Sequence, residues 1–454
     1  MSKLIIAVAT GNMVANLPPL FELAGGDDVI LWLESDWAKK NKLVDRILPL
    51  LNKRNLGANI GRLEYPESMS EMLASVKQKV GERIEQRTLY LICNGGTKLH
   101  FGVLLEALRE FNPTLIYSDG GSTGWQEYAP DWHGGEIKPY AKAAITLEDV
   151  LACRSYHLGK GELIWDANWN EQHRAQYTEQ ILSYGENVTD TIALHEAHHS
   201  LAAQRKTIEG TDLPSFDALM QSSKSEGWVD AVKNFLGYVK KNEPSLDSLK
   251  SGLSNQSPVY KQACALYSST LNVAKKVADD ASKNENSKPA LAIGPVFEKA
   301  VSKRVIAYLN QRYPELRNKV SQVYLGATFL DEKEMKIAET DVLLIAKNGI
   351  LLHLECKTFE ATQKDLDARI ANLHEASSDL AKMYVVMPVY TDYMDKDWAV
   401  VSRNLFDRIQ NGSKKLSTLP FTLPVQSKTF STETGDIQIP YFEESLGMIF
   451  KQLN

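Results

Sequence analysis

Four cysteines in 454 residues, Cys93, Cys153, Cys264 and Cys356, are too few and too scattered to staple a fold. No two are spaced C-x-x-C, which excludes a zinc ribbon and a dithiol redox motif and points to a reducing compartment. No apolar run approaches the roughly 20 residues that span a bilayer. Met1-Ser2-Lys3 leads into a strand-like stretch rather than a secretory leader. A cytoplasmic protein with no membrane partner is expected. Positive charge is also in deficit: 51 Lys and Arg against 57 Asp and Glu leave a net −6. A constitutive nucleic-acid binder is therefore disfavoured. Lys299, Lys303, Arg304, Arg312 and Arg317 could form a local basic track or equally a solvated helix face. No Gly-x-Gly-x-x-Gly follows the first apolar run, so a nicotinamide dinucleotide is not expected.

What is present is concentrated between residues 337 and 358. Two apolar runs flank Lys347-Asn348-Gly349, and each carries charge where a core strand should have none: Asp341 in the first, Glu355 and Lys357 in the second. An unpaired buried carboxylate costs on the order of several kcal/mol or shifts its pKa. Three such charges in one hairpin therefore imply a compensating cation. Side chains alternate along a strand, so Glu355 and Lys357 share a face. A two-residue turn would pair Asp341 with Cys356 and send its carboxylate to the other face. A three-residue loop with glycine in the left-handed region pairs Asp341 with Glu355. The three-residue loop is predicted because only that register gathers the charges. Val342, Leu344, Leu352 and Leu354 would then fill one face, and Leu343, Ile345 and Leu351 the other.

The pattern Asp341…Glu355-x-Lys357 across a hairpin resembles the signature of PD-(D/E)XK nucleases. Carboxylates at Asp341 and Glu355, with the Cys356 backbone carbonyl, suit Mg²⁺ or Mn²⁺. Lys357 would position the attacking water, and Gln363 and Lys364 could hold the next phosphate. Residues 293–309 read as an amphipathic helix with Pro295 in its first turn. Its glycine–aromatic–glutamate opening is similar to that family's first-helix motif. The resemblance carries Glu298 over as a fourth catalytic residue, a metal ligand or an orienter of one.

The N-terminal third alternates strand and helix, the cadence of a parallel sheet covered on both faces. Apolar runs at residues 3–10, 28–35, 58–65, 88–93 and 115–117 are predicted strands. In the strand order 3-2-1-4-5 the first and fourth are neighbours at a topological switch point, where ligands bind beyond the carboxyl ends. Two polar loops fall there, Thr10-Gly11-Asn12-Met13 and Asn94-Gly95-Gly96-Thr97-Lys98. Glycine lets backbone approach a phosphate, a helix N-terminus favours the anion, and Lys98 adds charge. The glycines may equally serve tight strand-to-helix turns.

This pair of loops resembles the CARF domain, the Rossmann-like sensor of type III CRISPR systems. A CARF domain followed by a PD-(D/E)XK domain resembles the CRISPR ancillary nuclease family. That resemblance implies an α/β chain with a CARF domain built on a parallel sheet (1–145) and a restriction-endonuclease-like domain (286–454); residues 146–285, where the chain departs from shorter members of the family, read as a mainly helical bridging segment or insertion. It also implies a homodimer activated by a cyclic oligoadenylate, cyclic tetra-adenylate by family habit, that cuts DNA, RNA or both. A CARF sensor that recruits without cutting remains the alternative. His195-Glu196-Ala197-His198-His199 matches the H-E-x-x-H zinc-protease pattern. With no third ligand in view it reads as a polar helix face. Trp125, Tyr128, Trp132 and His133 are expected to pack the end of the sheet, and Trp165 and Trp169 to sit in the core of the middle segment.

Overall fold

The computed structural model describes residues 2–57, 59–64, 68–118, 124–142, 145–176, 293–357, 363–377, 381–389, 416–422, 428–432, 435–439 and 442–453. The stretch carrying His195–His199 lies outside these residues.

Strands β1 (Ser2–Val8), β2 (Val29–Glu34), β3 (Ile60–Glu64), β4 (Arg87–Ile92) and β5 (Thr114–Tyr117) pair in parallel in the order β3-β2-β1-β4-β5. The order is the one the strand–helix cadence implies, and it places β1 beside β4. Two further strands, β6 (Gly124–Tyr128) and β7 (Gly134–Pro139), extend the sheet as an antiparallel hairpin. Alternate residues of β1 face opposite sides. Ile5 and Ala7 pack towards helices α1 (Leu17–Leu23) and α3 (Leu43–Lys53); a short α2 (Asp36–Lys40) precedes α3. Leu4, Ile6 and Val8 pack towards α4 (Met69–Gly81) and α5 (Lys98–Leu108).

After α6 (Leu147–Ala152) the chain enters a second sheet through β8 (His157–Asp166). Within the segment expected to be mainly helical, β8 is a strand, antiparallel to β9 (Val320–Leu330) at the sheet edge. Its two glycines and the run Leu163-Ile164-Trp165 disfavour helix and suit a half-covered strand. Trp165 is buried in the second sheet rather than in a separate bundle. Beyond helix α7 (Ile293–Gln311) and β9 come β10 (Lys336–Ala346), β11 (Leu351–Cys356), α8 (Gln363–Ala376), β12 (Lys382–Val389), β13 (Leu416–Thr422) and, last, α9 (Phe442–Lys451). The sheet order is β13-β12-β11-β10-β9-β8, antiparallel from β8 to β11 and parallel thereafter. Val342, Leu344, Leu352 and Leu354 pack with α7 and α9, whereas Leu343, Ile345 and Leu351 share a core with β1, α1, α3 and α6.

One continuous apolar core therefore joins the two sheets, with α6 wedged between them. Leu147 N–H donates to Gln322 Oε1 (3.0 Å), and Ser321 Oγ donates to the carbonyls of Ile145 (2.6 Å) and Ile345 (3.0 Å). Asp149, almost fully buried, is paired to Arg54 at 2.8 Å.

The β10–β11 register pairs Val342 with Leu354 and Ile345 with Leu351. Ala346 N–H bonds to the Ile350 carbonyl, leaving Lys347-Asn348-Gly349 as a three-residue turn with Gly349 at φ +85°. This is the register that sets Asp341 opposite Glu355. The turn is buried, and a Cβ on Gly349 would overlap Val14 Cγ1 and lie 3.5 Å from Ile145 Cγ2. Glycine is thus needed twice here, for the left-handed backbone and for the approach of the hairpin tip to the N-terminal domain. Gly349→Val should cost on the order of 2–4 kcal/mol from backbone strain plus overpacking. A wild-type melting temperature in that variant would show that the tip is not held as described.

Candidate functional site

Asp341 and Glu355 reach the same face from neighbouring strands, and both are buried. Cys356 N–H donates to Asp341 Oδ2 at 2.7 Å, locking that carboxylate across the hairpin. Glu355, with no exposed surface, has Oε1 at 2.5 Å from Lys357 Nζ and 2.9 Å from Arg369 Nε. Arg369, from α8, also donates to Glu355 Oε2 at 3.1 Å and lies 4.0 Å from Asp341 Oδ1. Glu298 joins from the first turns of α7. Burial, then the charges of Asp341 and Glu355, lift its pKa from 4.5 to about 7. Asp341 is pushed up as well, first by burial and then by Glu355.

His353 completes the cluster. It is buried, and burial drops its pKa to about 4, so at neutral pH it is uncharged. Asp341 N–H donates to its Nε2 at 3.1 Å, which puts the ring proton on Nδ1. Nδ1 has no partner among the described residues. Nε2, its lone pair taken by Asp341 N–H, lies 3.3 Å from Glu355 Oε2. One ligand atom each from Asp341, His353 and Glu355 lies within 4.8 Å of the others. Lys357 and Arg369 meet part of this negative charge, and a divalent cation would meet the rest. The two carboxylates fit Mn²⁺ or Mg²⁺. Burial pushes the Cys356 thiol far up, so that residue can offer only its carbonyl.

The structure thus gathers Asp341, Glu355 and Lys357, with Glu298 within electrostatic reach. Two members were not anticipated. His353 was legible, since His353, Glu355 and Lys357 alternate along one strand and so share a face. Arg369 was not, because nothing in its own segment marks the carboxylate it meets. The side chain of Gln363 lies outside the described residues, and Lys364 is exposed. Arg304 is no part of a free basic track: it grips Glu443 through two hydrogen bonds, at 2.6 and 2.5 Å.

At the carboxyl ends of β1 and β4 the two polar loops touch. A Cβ on Gly95 would sit 2.7 Å from the Val8 carbonyl oxygen and 3.1 Å from Thr10 Cγ2. Asn94 is a clamp rather than a free ligand group. Its Nδ2 donates to the carbonyls of Ala15 (2.8 Å) and Ser118 (3.2 Å), and its Oδ1 accepts from Ser118 N–H (2.9 Å). Thr97 is the N-cap of α5, its hydroxyl accepting from His100 N–H at 3.3 Å. The Met13 side chain is buried in the core and cannot face a ligand in this arrangement. Gly96 and Lys98 are exposed, and Asn12 Oδ1 is without a partner among the described residues. Gly11 lies beneath the half-exposed ring of Trp37.

Taken together, a Rossmann-like sheet with loops at its switch point and a mixed sheet with a buried acidic cluster define a two-part α/β protein. No family model and no curated protein matches the chain. Among solved structures, protein VC1899 from Vibrio cholerae matches at 14% identity and TM-score 0.55, over 92% of this chain and 94% of that one. A type III CRISPR defence DNA nuclease activated by cyclic oligoadenylate matches at 14% identity and TM-score 0.50. That alignment covers 99% of this chain and 52% of the nuclease, so this chain spans about half its length. Can2 from Sulfobacillus thermosulfidooxidans, solved in complex with cyclic tetra-adenylate, gives 12% identity and TM-score 0.48 over 92% and 95% of the two chains. At these identities the likeness is one of fold.

The raised pKa of Glu298 sets a pH dependence for the metal-free protein. Because the folded value exceeds the unfolded one, ionisation of Glu298 opposes folding: the cost is absent below 4.5 and grows as pH rises to about 7. Glu298→Gln should therefore melt higher than wild type at about pH 8 in chelator, with the gap closing towards about pH 5. Equal melting temperatures across that range would remove the buried acid from the cluster.

Proposed function

We propose that this chain is a cyclic-oligoadenylate-activated, metal-dependent nuclease of type III CRISPR antiviral defence. It joins a CARF sensor to a PD-(D/E)XK centre and acts in the cytoplasm as a homodimer on DNA, RNA or both. The observation that carries the reading is the buried convergence of Asp341 and Glu355 beside Lys357, with Glu298 in electrostatic reach. Lys357 and Arg369 balance two of these acids, and the third is left for a further cation. The fold shared with a nuclease activated by cyclic oligoadenylate supports the same reading.

A bound Mg²⁺ or Mn²⁺ supplies polarisation of the scissile phosphate and a lowered pKa for the attacking water. Asp341, Glu355 and the Cys356 carbonyl would hold it, with Glu298 beside them from the helix side. Arg369, forked onto Glu355, keeps that carboxylate aimed while its neighbour Asp341 is pinned by Cys356 N–H. Lys357 leaves Glu355 to meet the phosphate, donating to the charge that develops on its oxygens. Water is held next to Lys357, where the ammonium favours its deprotonation.

Activation requires the ligand to bind the cutting arrangement more tightly than the resting one. The loop at residues 10–13 runs directly into a 3₁₀ turn, Met13–Asn16, whose Val14 packs on the tip of the catalytic hairpin. Asn94 holds the same turn through Ala15. A ligand seated on both loops thus bears on the strands that carry Asp341 and Glu355. Cyclic tetra-adenylate is assigned as activator from the resemblance of these loops.

The test offers DNA and RNA side by side with Mn²⁺ and each cyclic oligoadenylate. Lys357→Ala should reduce cleavage by about 100-fold or more, the scale of a lost charge-stabilising donor, with unchanged affinity for the activator. Lys98→Ala should weaken activation instead. It is a cleaner probe than Thr97→Ala, which also uncaps α5 at a cost of about 1 kcal/mol. Wild-type cleavage by Lys357→Ala would place the chemistry elsewhere. Activator binding with no cleavage in any metal would leave the non-cutting sensor.

A further inference from the structure

Beside the second loop lies a cavity of about 400 Å³, lined by Thr97, Lys98, Phe101, Tyr117, Tyr128 and Trp132 among others. No residue of the 10–13 loop lines it, so it opens on the β5 side of the Gly95–Lys98 turn, away from the junction with β1. Its walls are unusual for a surface. Trp132 is 62% exposed and Tyr117 42% exposed, and both stand next to the exposed ammonium-bearing Lys98. Packing was the expected role of the aromatics at 125–133. Trp125 meets that expectation, buried in the core that α1 and α3 share. Trp132 does not.

The backbone holds Trp132 outward. Trp132 N–H donates to the Ala129 carbonyl and Ala129 N–H to the His133 carbonyl, both at 2.8 Å, while Asp131 Oδ1 takes His133 N–H. This closes a tight turn between β6 and β7 with Trp132 at φ +65°, a conformation that bulky side chains rarely adopt. With its backbone fixed in that way, Trp132 presents an exposed ring to the cavity that the Gly95–Lys98 loop also lines. Anion-favouring backbone, a lysine and several aromatic side chains in one cavity are together the chemistry of a nucleotide. An apolar ligand would leave Lys98 and the helix terminus unused, and a bare phosphate would leave the rings unused.

We propose that the β6–β7 turn is a base-stacking platform: Trp132, flanked by Tyr117 and Tyr128, takes a purine base of the nucleotide whose phosphate lies on the Gly95–Lys98 loop. It deepens the activator reading and rests on it. The ring is held by its phosphates at the switch point, and one base per protomer is splayed sideways into this cavity. Stacking tolerates any base, so Trp132 contributes affinity, and the choice of adenine falls to polar groups around the cavity rim.

Titration of the full-length protein with cyclic tetra-adenylate by calorimetry tests the platform. Trp132→Ala should weaken binding about 10- to 100-fold, the range for one lost base–aromatic stack, and Trp132→Phe by no more than about threefold. Tryptophan emission should be quenched when wild type binds the ligand, and that quench should be lost in Trp132→Phe although binding persists. Trp132→Ala binding within about twofold of wild type, or a full quench in Trp132→Phe, overturns the platform. The second measurement decides the matter if Trp132→Ala fails to fold. A wild-type protein that does not bind cyclic tetra-adenylate overturns the activator reading with it, whereas unaffected variants of a binding wild type overturn the platform alone.

Discussion

The hairpin turn at Lys347-Asn348-Gly349 is the constraint on which the rest of the molecule depends. A turn one residue shorter would send Asp341 to the opposite face of β10 and disperse the acidic cluster. The left-handed Gly349 keeps the count at three and keeps the tip slender enough to reach Val14. One residue thus sets the register of the candidate centre and seats it against the 3₁₀ turn that follows the first loop. Because the turn is buried, neither role can relax without disturbing the shared core of the two sheets.

Two sites with opposite electrostatics result. At the hairpin three acids, Asp341, Glu355 and Glu298 from α7, face two cations, and burial magnifies the imbalance. The protein contains it with Arg369, Lys357 and the Cys356 amide, while the neutral His353 accepts from Asp341 N–H. At the carboxyl edge of the first sheet the excess is of donors, through a helix N-terminus and Lys98, with aromatic faces beside them. On the proposed reading a cation completes the first and an anion the second. The 3₁₀ turn between them, tied to Asn94 on one side and touching Gly349 on the other, is the short physical path by which occupation of one can be felt at the other.

Residue roles in the loops show how structure and recognition share the same atoms. Asn94, Thr97 and Met13 all fall in the stretches that chemistry singles out, yet each spends its side chain on the scaffold: a clamp to Ala15 and Ser118, a helix cap, a core contact. The groups left for a ligand are the backbone, Lys98 and the rings around the cavity. Loop composition alone does not separate these duties. Nor did it foresee that β8 would leave the middle segment to edge the second sheet, since a ten-residue strand with two glycines carries little periodicity of its own.

The sequence by itself determined the alternation of strand and helix in the first third, the strand order with its switch point, and the gathering of Asp341, Glu355 and Lys357. Those follow from local periods: 2.0 along a strand, 3.6 along a helix, and a turn whose glycine sets the register. Only the tertiary structure decided that Arg369 closes on Glu355, that α6 welds the two sheets into one core, and that Trp132 stands exposed while Trp125 is buried. Each of these pairs residues far apart in the chain or depends on which side of a sheet another element covers. No local period encodes such a meeting, because it is set by packing between surfaces rather than by the path of any one segment.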